Sequence, residues 1–197
     1  STAGARTRPF VMGFRTRAGA GPATFVPGLS PSATAPFSAT SGDFDGDGDL
    51  DLVAVSGSGN NVEVLLNNGA GVFAAPVSYA VGTTPASIAT GDFDSDGDLD
   101  LAVTNNGSAN VSILRNNGSG VFAAAVNYPF GTPAGIVASD FDGDGDIDIA
   151  TTNVGTNTVS ISLNNGAGVF AAAITYPIGT NPRLMTCGDF DGDGDID

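Results

Sequence analysis

Apolar and polar residues alternate with a period of two over several short stretches of this chain. The alternating apolar positions of one unit are Leu50, Leu52 and Ala54, then Val62, Val64 and Leu66, then Phe73, Ala75, Val77 and Tyr79, then a short run over 86–90. This alternation predicts β-strands, since no stretch keeps the 3.6-residue apolar period of a helix. The breaks at 56–61, 67–71 and 81–85 are rich in Gly, Asn, Ser, Thr and Pro, which are the residues of turns.

The same pattern returns along the chain at a nearly constant interval. A nine-residue Asp motif reads DFDGDGDLD at 43–51, DFDSDGDLD at 92–100, and DFDGDGDID at 140–148 and 189–197, and its starts are 49, 48 and 49 residues apart. A period of this length is typical of repeat architectures. We therefore predict repeats at 43–91, 92–139 and 140–188. A fourth repeat starts at 189–197, and the segment 1–42 is interpreted as the tail of a degenerate unit.

Four predicted strands and their turns fill each period, which favours an all-β fold. A four-stranded antiparallel sheet is the blade of a β-propeller; a β-solenoid is the alternative, although its coils are usually shorter. We expect the aromatic residue at motif position 2 to lie in the blade core; these residues are Phe44, Phe93, Phe141 and Phe190. Tyr79, Tyr128 and Tyr176 share one register and are expected either to pack between blades or to line a sugar site.

The charge of the chain is concentrated in the motifs. The net charge is −15, and 20 of the 21 acidic residues are motif Asp residues. A chain so acidic is a poor candidate for binding nucleic acid. It has no His, no Lys and one Cys, which excludes His-based catalysis, a Cys-rich or His-ligated metal site and an intrachain disulfide. Four of the six Arg residues precede the first motif: Arg6, Arg8, Arg15 and Arg17.

The nine-residue motif has the chemistry of a calcium loop. Five carboxylates in nine residues repel each other, and Ca²⁺ takes six to eight oxygen ligands around a loop with Gly at position 6. In the first motif we assign side-chain ligands to positions 1, 3, 5 and 9, namely Asp43, Asp45, Asp47 and Asp51. Asp49 is expected to contribute its backbone carbonyl, and Leu50 to point into the apolar side.

The motif has three other possible interpretations. An EF-hand is excluded because it needs flanking helices and a Glu at position 12, where this chain has Ala54. Magnesium is disfavoured because it binds few carboxylates and keeps its waters. An acidic turn that only keeps the protein soluble is the remaining alternative, and four copies in register argue against it.

The Asp motif, the Leu-Val-Ala-Val that follows it and the Asn-Asn-Gly-x-Gly-Val-Phe-Ala-Ala segment together resemble bacterial FG-GAP/VCBS repeat proteins. Blades of this family also build the head of integrin α-subunits, and the resemblance covers 43–197. It implies propeller blades with one Ca²⁺ in each motif, up to four in all. The ligand sets that it implies in the remaining motifs are Asp92, Asp94, Asp96, Asp98 and Asp100; Asp140, Asp142, Asp144, Asp146 and Asp148; and Asp189, Asp191, Asp193, Asp195 and Asp197.

The resemblance and the composition together predict a non-catalytic, extracellular calcium-binding module that acts in adhesion or as a structural, filament-forming protein. The alternatives are a lectin-like propeller that binds surface glycans and an accessory domain of a larger secreted protein. The extracellular location is implied by the family and the loops, because the sequence shows neither a signal peptide nor a transmembrane run. Sequons at Asn106, Asn110 and Asn117 are candidate glycosylation sites.

The number of repeats leaves the assembly open. Propellers close with about four to eight blades, and this chain has material for about four. The chain is expected to be part of a longer repeat protein, to assemble head to tail with other copies, or to form a small ring. In the head-to-tail case the N-terminal segment of one copy completes the last repeat of the next, which would produce a filament.

Overall fold

The computed structural model describes residues 36–197, and in this part of the chain all regular structure is β-strand. The predicted all-β class is confirmed. The strands are β1 (Pro36–Gly42), β2 (Asp51–Ser56), β3 (Asn61–Leu65), β4 (Val77–Ala80), β5 (Pro85–Gly91), β6 (Asp100–Asn105), β7 (Asn110–Leu114), β8 (Val126–Pro129), β9 (Pro133–Ser139), β10 (Asp148–Asn153), β11 (Thr158–Ser162) and β12 (Ile174–Pro177). The predicted tail of a degenerate unit in 1–42, apart from β1, and the four N-terminal Arg residues lie outside the described residues.

The strands form three antiparallel sheets, each with its four strands in chain order. We call β1–β4 blade 1, β5–β8 blade 2 and β9–β12 blade 3. The predicted four-stranded antiparallel blades are therefore confirmed, and the solenoid alternative is not what the chain forms. The first strands of the blades, β1, β5 and β9, lie next to each other, so the blades are arranged side by side around their inner strands.

A blade and a sequence repeat are displaced from each other by one strand. The strand β5 ends the repeat 43–91, but it pairs with β6 of the next repeat, for example Gly91 with Asp100. Blade 2 therefore begins before the second Asp motif, and the same displacement holds for blades 1 and 3. Each of the first three Asp motifs is consequently the connection between the first and second strands of one blade.

The apolar core lies between blades. One cluster joins Val53 and Val62 of blade 1 to Leu101 and Val103 of blade 2. A second cluster joins the other face of blade 2, including Val111, to blade 3. All six residues of β6 are buried because neighbouring residues of that strand face two different cores. The period-two alternation thus supplies two apolar faces to the central blade.

Aromatic residues repeat at both blade interfaces. Phe44 and Tyr79 of blade 1 pack edge-on against Phe122 of blade 2, with ring centroids 5.8 and 5.4 Å apart. Phe93 and Tyr128 contact Phe170 of blade 3 in the same way. The contacts of Tyr79 and Tyr128 favour interblade packing over a sugar site.

Three expectations about apolar residues need correction. Phe190 is 69% exposed rather than buried, because no following blade covers it within the described residues, and Phe141 is only half-buried. The third predicted strand is shorter than its alternation indicated, since β4 starts at Val77 and Phe73 makes only an isolated bridge to Asn67.

Leu50 was predicted to point into the apolar side, and that prediction is wrong, since it is 62% exposed. Its counterparts Leu99 and Ile147 pack against the blade that precedes them. A Cβ on Gly42 of blade 1 would lie 2.8 Å from the Cδ1 of Leu99. Leu50 belongs to the first described blade and has no such surface to pack against within the described residues.

Candidate metal-binding loops

We call the four Asp motifs loop 1 (43–51), loop 2 (92–100), loop 3 (140–148) and loop 4 (189–197). Loop 1 is closed at its base by the pairing of Gly42 with Asp51. Loop 4 is closed in the same way, by backbone hydrogen bonds between Gly188 and Asp197. The four motifs therefore adopt related hairpin loops, and loops 1 to 3 each sit at the same end of a blade.

In loops 1 to 3 the Asp at position 9 holds the loop to the turn that follows the third strand of its own blade. Asp51 is fully buried, and its two carboxylate oxygens accept the backbone N–H groups of Phe44 at 2.9 Å and of Asn67 at 2.7 Å. Asp100 and Asp148 are equally buried and make the corresponding pairs of bonds. A buried carboxylate needs such donors, so position 9 is a structural anchor as well as a candidate ligand.

The Asp at position 1 curls the loop. In loop 1 the carboxylate of Asp43 accepts the N–H of Gly46 at 2.8 Å and the N–H of Gly48 at 2.9 Å. Gly48, at position 6, has a φ of +89°, a conformation that glycine adopts without steric cost. Loops 3 and 4 repeat both bonds at their own first Asp residues.

These hydrogen bonds bring carboxylates together. In each loop, oxygens of three Asp side chains lie within 4.8 Å of one another: Asp43, Asp45 and Asp51; Asp92, Asp94 and Asp96; Asp140, Asp142 and Asp148; and Asp189, Asp191 and Asp197. Like charges at this separation repel. A donor set made only of oxygens, in a loop of flexible backbone, suits a hard divalent cation.

One carboxylate oxygen of this set is buried and lacks a hydrogen-bond donor among the described residues. Asp94 Oδ1 is buried and accepts no hydrogen bond from any described residue. An unpaired buried carboxylate oxygen is costly, and a cation bound in loop 2 would pair it. The residues present therefore fit a bound divalent ion.

Two of the ligands predicted for loop 1 lie outside its group of three. Asp47 Oδ1 instead accepts the N–H of Asp49 at 2.9 Å. The carboxylate of Asp49 lies against Gly69, where a Cβ would clash with it. The Asp98 and Asp146 carboxylates occupy the same place over Gly118 and Gly166. A position-7 side chain directed away from the group is consistent with a ligand role for its backbone carbonyl alone.

Crowding and burial raise the pKa of several Asp carboxylates in the loops. Burial raises the pKa of Asp100 to about 6, against the opposing effect of the N–H donors of Asn116 and Phe93. Burial also raises the pKa of Asp148, Asp45 and Asp94, and neighbouring Asp carboxylates add to each of these shifts. A divalent cation would act in the opposite sense by favouring the ionised carboxylates.

Loops 1 and 2 are also held by the next blade, a contact that the sequence reasoning missed. Asn116 of blade 2 donates from Nδ2 to the carbonyl oxygens of Phe44 in loop 1, at 2.8 Å, and of Leu99 in loop 2, at 3.2 Å. Asn164 of blade 3 joins loops 2 and 3 in the same way. The recurring Asn-Asn-Gly segment was the available signal in the sequence. It predicts a turn, but it does not show that its first Asn donates a hydrogen bond to the preceding blade.

Loop 2 differs from the other loops at position 4 and in one residue of its own blade that contacts it. Ser95 replaces the Gly found at position 4 of the others and has a φ of +60°. Arg115, where the other blades have Leu66 and Leu163, places Nη1 3.5 Å from Asp94 Oδ2. Its Nη2 donates to the carbonyl oxygen of Ala167 in blade 3 at 2.5 Å.

Comparison with known proteins agrees with this geometry. The model of the FG-GAP-like repeat matches residues 43–103, 92–151 and 140–197. The chain belongs to the FG-GAP repeat family. The matched segments overlap and together span every residue from the first Asp motif to the end of the sequence, so the resemblance inferred from the motifs is confirmed. Among curated proteins, none matches this FG-GAP repeat chain.

Solved structures with a similar fold come from unrelated biological settings. The Tc holotoxin pore of Photorhabdus luminescens is 24% identical over 80% of this chain and 8% of its own, with a TM-score of 0.50. A lectin of Agrocybe aegerita that recognises non-reducing terminal N-acetylglucosamine is 24% identical over 70% of this chain and 37% of its own, also with a TM-score of 0.50. Virginiamycin B lyase of Staphylococcus aureus is 16% identical over 79% and 46%, with a TM-score of 0.54. The chain spans less than half the length of each, and the similarity concerns the propeller-like fold alone.

The candidate glycosylation sites lie in different environments of blade 2. Asn117 is exposed, and its Oδ1 accepts the N–H of Ser119 at 3.1 Å. Asn106 is half-buried and donates to the carbonyl of Pro133 at 3.4 Å. Asn110 is half-buried, and its Oδ1 accepts from Asn105 at 2.8 Å. Of the three, Asn117 has the most accessible side chain. No part of the chain that the structure describes contains a helix able to span a membrane.

Proposed function

We propose that this FG-GAP repeat chain is a non-catalytic, calcium-binding module of an extracellular protein, and that calcium stiffens its row of blades. The observation that carries the proposal is that a group of three close carboxylates recurs in all four loops, at positions 1, 3 and 9 of loops 1, 3 and 4 and at positions 1, 3 and 5 of loop 2. The mutual repulsion of such carboxylates favours a bound cation over an empty acidic turn.

The donor set favours calcium over other biological cations. Every candidate side-chain ligand is a carboxylate, and the loops offer more of them than Mg²⁺ normally accepts. Zinc and copper prefer imidazole and thiolate ligands, and the chain has no His. Extracellular calcium fills even sites with dissociation constants of about 10⁻⁴–10⁻³ M, which suits an extracellular location.

The position of the loops explains why calcium would matter for mechanical integrity. The Phe44 carbonyl of loop 1 accepts the side chain of Asn116 and also the N–H of Gly120, both of blade 2 and both at 2.8 Å. An ion that fixes the shape of loop 1 therefore also fixes the acceptor to which blade 2 is bound. A saturated site adds about 2.7 kcal/mol of stability at 100 times its dissociation constant.

A scaffold of this kind suits adhesion or a structural filament better than catalysis. The chain lacks His and Lys, and 20 of its 21 acidic residues lie in the loops. The lectin alternative gains no support from the interblade tyrosines, because Tyr79 and Tyr128 direct their hydroxyls to the carbonyl oxygens of Gly120 and Gly168. Adhesive or filamentous behaviour is tested by negative-stain microscopy and by binding to glycan arrays in calcium and in chelator.

Calorimetric titration of metal-stripped protein tests the calcium function. We expect binding of up to four Ca²⁺ and a higher melting temperature, with a much weaker response to Mg²⁺. Asp45→Asn removes a member of the loop 1 group and should abolish one site. Asp49→Asn is the matched control: its carboxylate lies against Gly69, so the number of sites should stay the same. Equal effects of Ca²⁺ and Mg²⁺, or no effect of either, would refute the proposal.

A further inference from the structure

Arg115 places a positive charge beside one of the four loops. Its guanidinium contacts Asp94 at 3.5 Å and reaches the backbone of blade 3 through Ala167. The residue packs beneath the turn of blade 3, because a Cβ on Gly168 would lie 2.8 Å from its Nη2. In blade 1 the equivalent Leu66 packs beneath Gly120 in the same way, but it brings no charge.

The contact with Arg115 accompanies a different hydrogen-bond pattern in loop 2. In loops 1, 3 and 4 the carboxylate at position 3 accepts the N–H of position 5, as Asp45 does from Asp47 at 3.3 Å. In loop 2 the N–H of Asp96 donates only to Asp92, at 3.1 Å, whereas in loop 4 the N–H of Asp193 is shared between Asp189 and Asp191, both at 3.2 Å. The carboxylate of Asp94 is thus paired with Arg115 through one oxygen, while the other has no donor.

The group of close carboxylates also changes. Loops 1, 3 and 4 combine positions 1, 3 and 9, whereas loop 2 combines positions 1, 3 and 5, that is Asp92, Asp94 and Asp96. Loop 2 is therefore the one of the four whose metal-free arrangement is organised around an internal cation.

From these contacts we propose that Arg115 is an internal competitor of calcium, which makes loop 2 the weakest of the four sites and holds blades 2 and 3 together when that site is empty. This inference rests on the proposed calcium function. A guanidinium 3.5 Å from a ligand oxygen repels an incoming divalent ion and already neutralises part of the charge that the ion would neutralise. Its bond to Ala167 supplies a link between loop 2 and blade 3 that needs no metal. Calcium would then fill the loops in two stages, and loop 2 would respond at higher concentration.

The chain offers its own matched substitutions for a test. Arg115→Leu gives loop 2 the residue that blades 1 and 3 carry, and Leu66→Arg gives loop 1 the residue of blade 2. Arg115→Gln removes the charge while keeping a donor for Ala167, and it serves if the Leu variant folds poorly. Arg183→Leu changes the net charge equally at an exposed residue and is the control for long-range electrostatics.

Calcium titration calorimetry of chelator-stripped protein should show one weak site in the wild type. In Arg115→Leu and Arg115→Gln that site should bind about tenfold more tightly, about 1.4 kcal/mol, while Leu66→Arg should weaken a second site by a similar factor. In chelator, where no metal contributes, Arg115→Leu should melt at a lower temperature than wild type because it loses the donor to Ala167, and Arg115→Gln, which keeps a donor, should melt above Arg115→Leu. Arg183→Leu should match wild type in both measurements.

The outcomes separate this inference from the function on which it rests. Calcium binding that is normal in the wild type and unchanged by the Arg115 variants, with an unchanged melting temperature in chelator, overturns the inference and leaves the calcium function intact. An equal gain in affinity in Arg183→Leu also overturns it, because the effect would then belong to net charge. Absence of calcium binding in the wild type overturns both.

Discussion

The side-chain amide of Asn116 lies 2.8 Å from the carbonyl oxygen of Phe44, 72 residues earlier in the chain. This bond makes a residue of blade 2 part of loop 1. The same amide reaches Leu99 in its own blade, so one side chain links two neighbouring loops. Asn164, which begins the Asn-Asn-Gly turn of blade 3, links loops 2 and 3 in the same way.

We expect Asn116→Ala to lower the free energy of unfolding by about 2 kcal/mol, because it removes the donor to the Leu99 carbonyl and one of the two donors to the Phe44 carbonyl. Chemical denaturation with urea measures the change. Asn67→Ala is the matched control, since the side-chain amide of Asn67 donates only to the exposed carbonyl of Leu50, at 3.1 Å, within its own blade. Its effect should be clearly smaller, and equal effects would contradict the interblade role of Asn116.

The metal-free protein should become more stable as the pH falls from 7 towards 4. The pKa of Asp100 is about 6 in the folded chain, above its ordinary value of 3.8, and the pKa of Asp148 is raised in the same direction. The folded state therefore binds more protons than the unfolded state in this window, and protonation favours folding. Melting temperatures in chelator across this range provide the measurement.

In saturating calcium the pH dependence should reverse. A bound cation favours ionised carboxylates, so protons and calcium compete for the loops. In calcium, the melting temperature should then decrease as the pH is lowered, over the same pH range in which the melting temperature of the metal-free protein increases. Parallel curves with and without calcium would show that the ion does not occupy these carboxylates.

Ser95→Gly should stabilise the protein. Ser95 has a φ of +60° at a position where the other loops have Gly, and the left-handed conformation costs a non-Gly residue about 1–2 kcal/mol. The extra freedom of Gly in the unfolded chain offsets about 0.5–1 kcal/mol of this, so we expect a net gain of about 1 kcal/mol in urea denaturation. The reverse change Gly143→Ser, at a φ of +78°, should destabilise by a similar amount.

The exposure of Leu50 provides a test of the blade arrangement. Leu99→Ala should lower the free energy of unfolding by about 2 kcal/mol, since Leu99 packs on the core between blades 1 and 2. Leu50→Ala, at the same motif position but 62% exposed, should change it by less than about 0.5 kcal/mol. Similar losses in thermal or urea unfolding would mean that Leu50 is covered in solution.

The sheets and the loops could be predicted from the sequence because both depend on neighbouring residues. Alternation over 51–56 and 61–65 identifies strands that pair through a short turn, and the carboxylates of Asp43 and Asp45 come from one nine-residue loop. Local turns and the alternation of apolar and polar residues can be identified in a single sequence.

Features that depend on a neighbouring blade could not be predicted in the same way. The exposure of Leu50 reflects the lack of a preceding blade within the described residues rather than its own apolar character. The bond of Asn116 to Phe44 and the contact of Arg115 with Ala167 join residues 72 and 52 positions apart. A repeat period shows that such contacts recur, but only the packing of the blades shows which residues meet.

The one-strand displacement between repeats and blades bears on how such a chain can change in length. The strand β5 belongs to one 49-residue sequence unit and to the sheet of the next. Duplicating or deleting one whole unit therefore adds or removes one complete sheet, wherever the boundary of the unit is placed. The strand at the new junction is equivalent to the strand that it replaces. Family members of different length can arise in this way without any single sheet passing through an incomplete state.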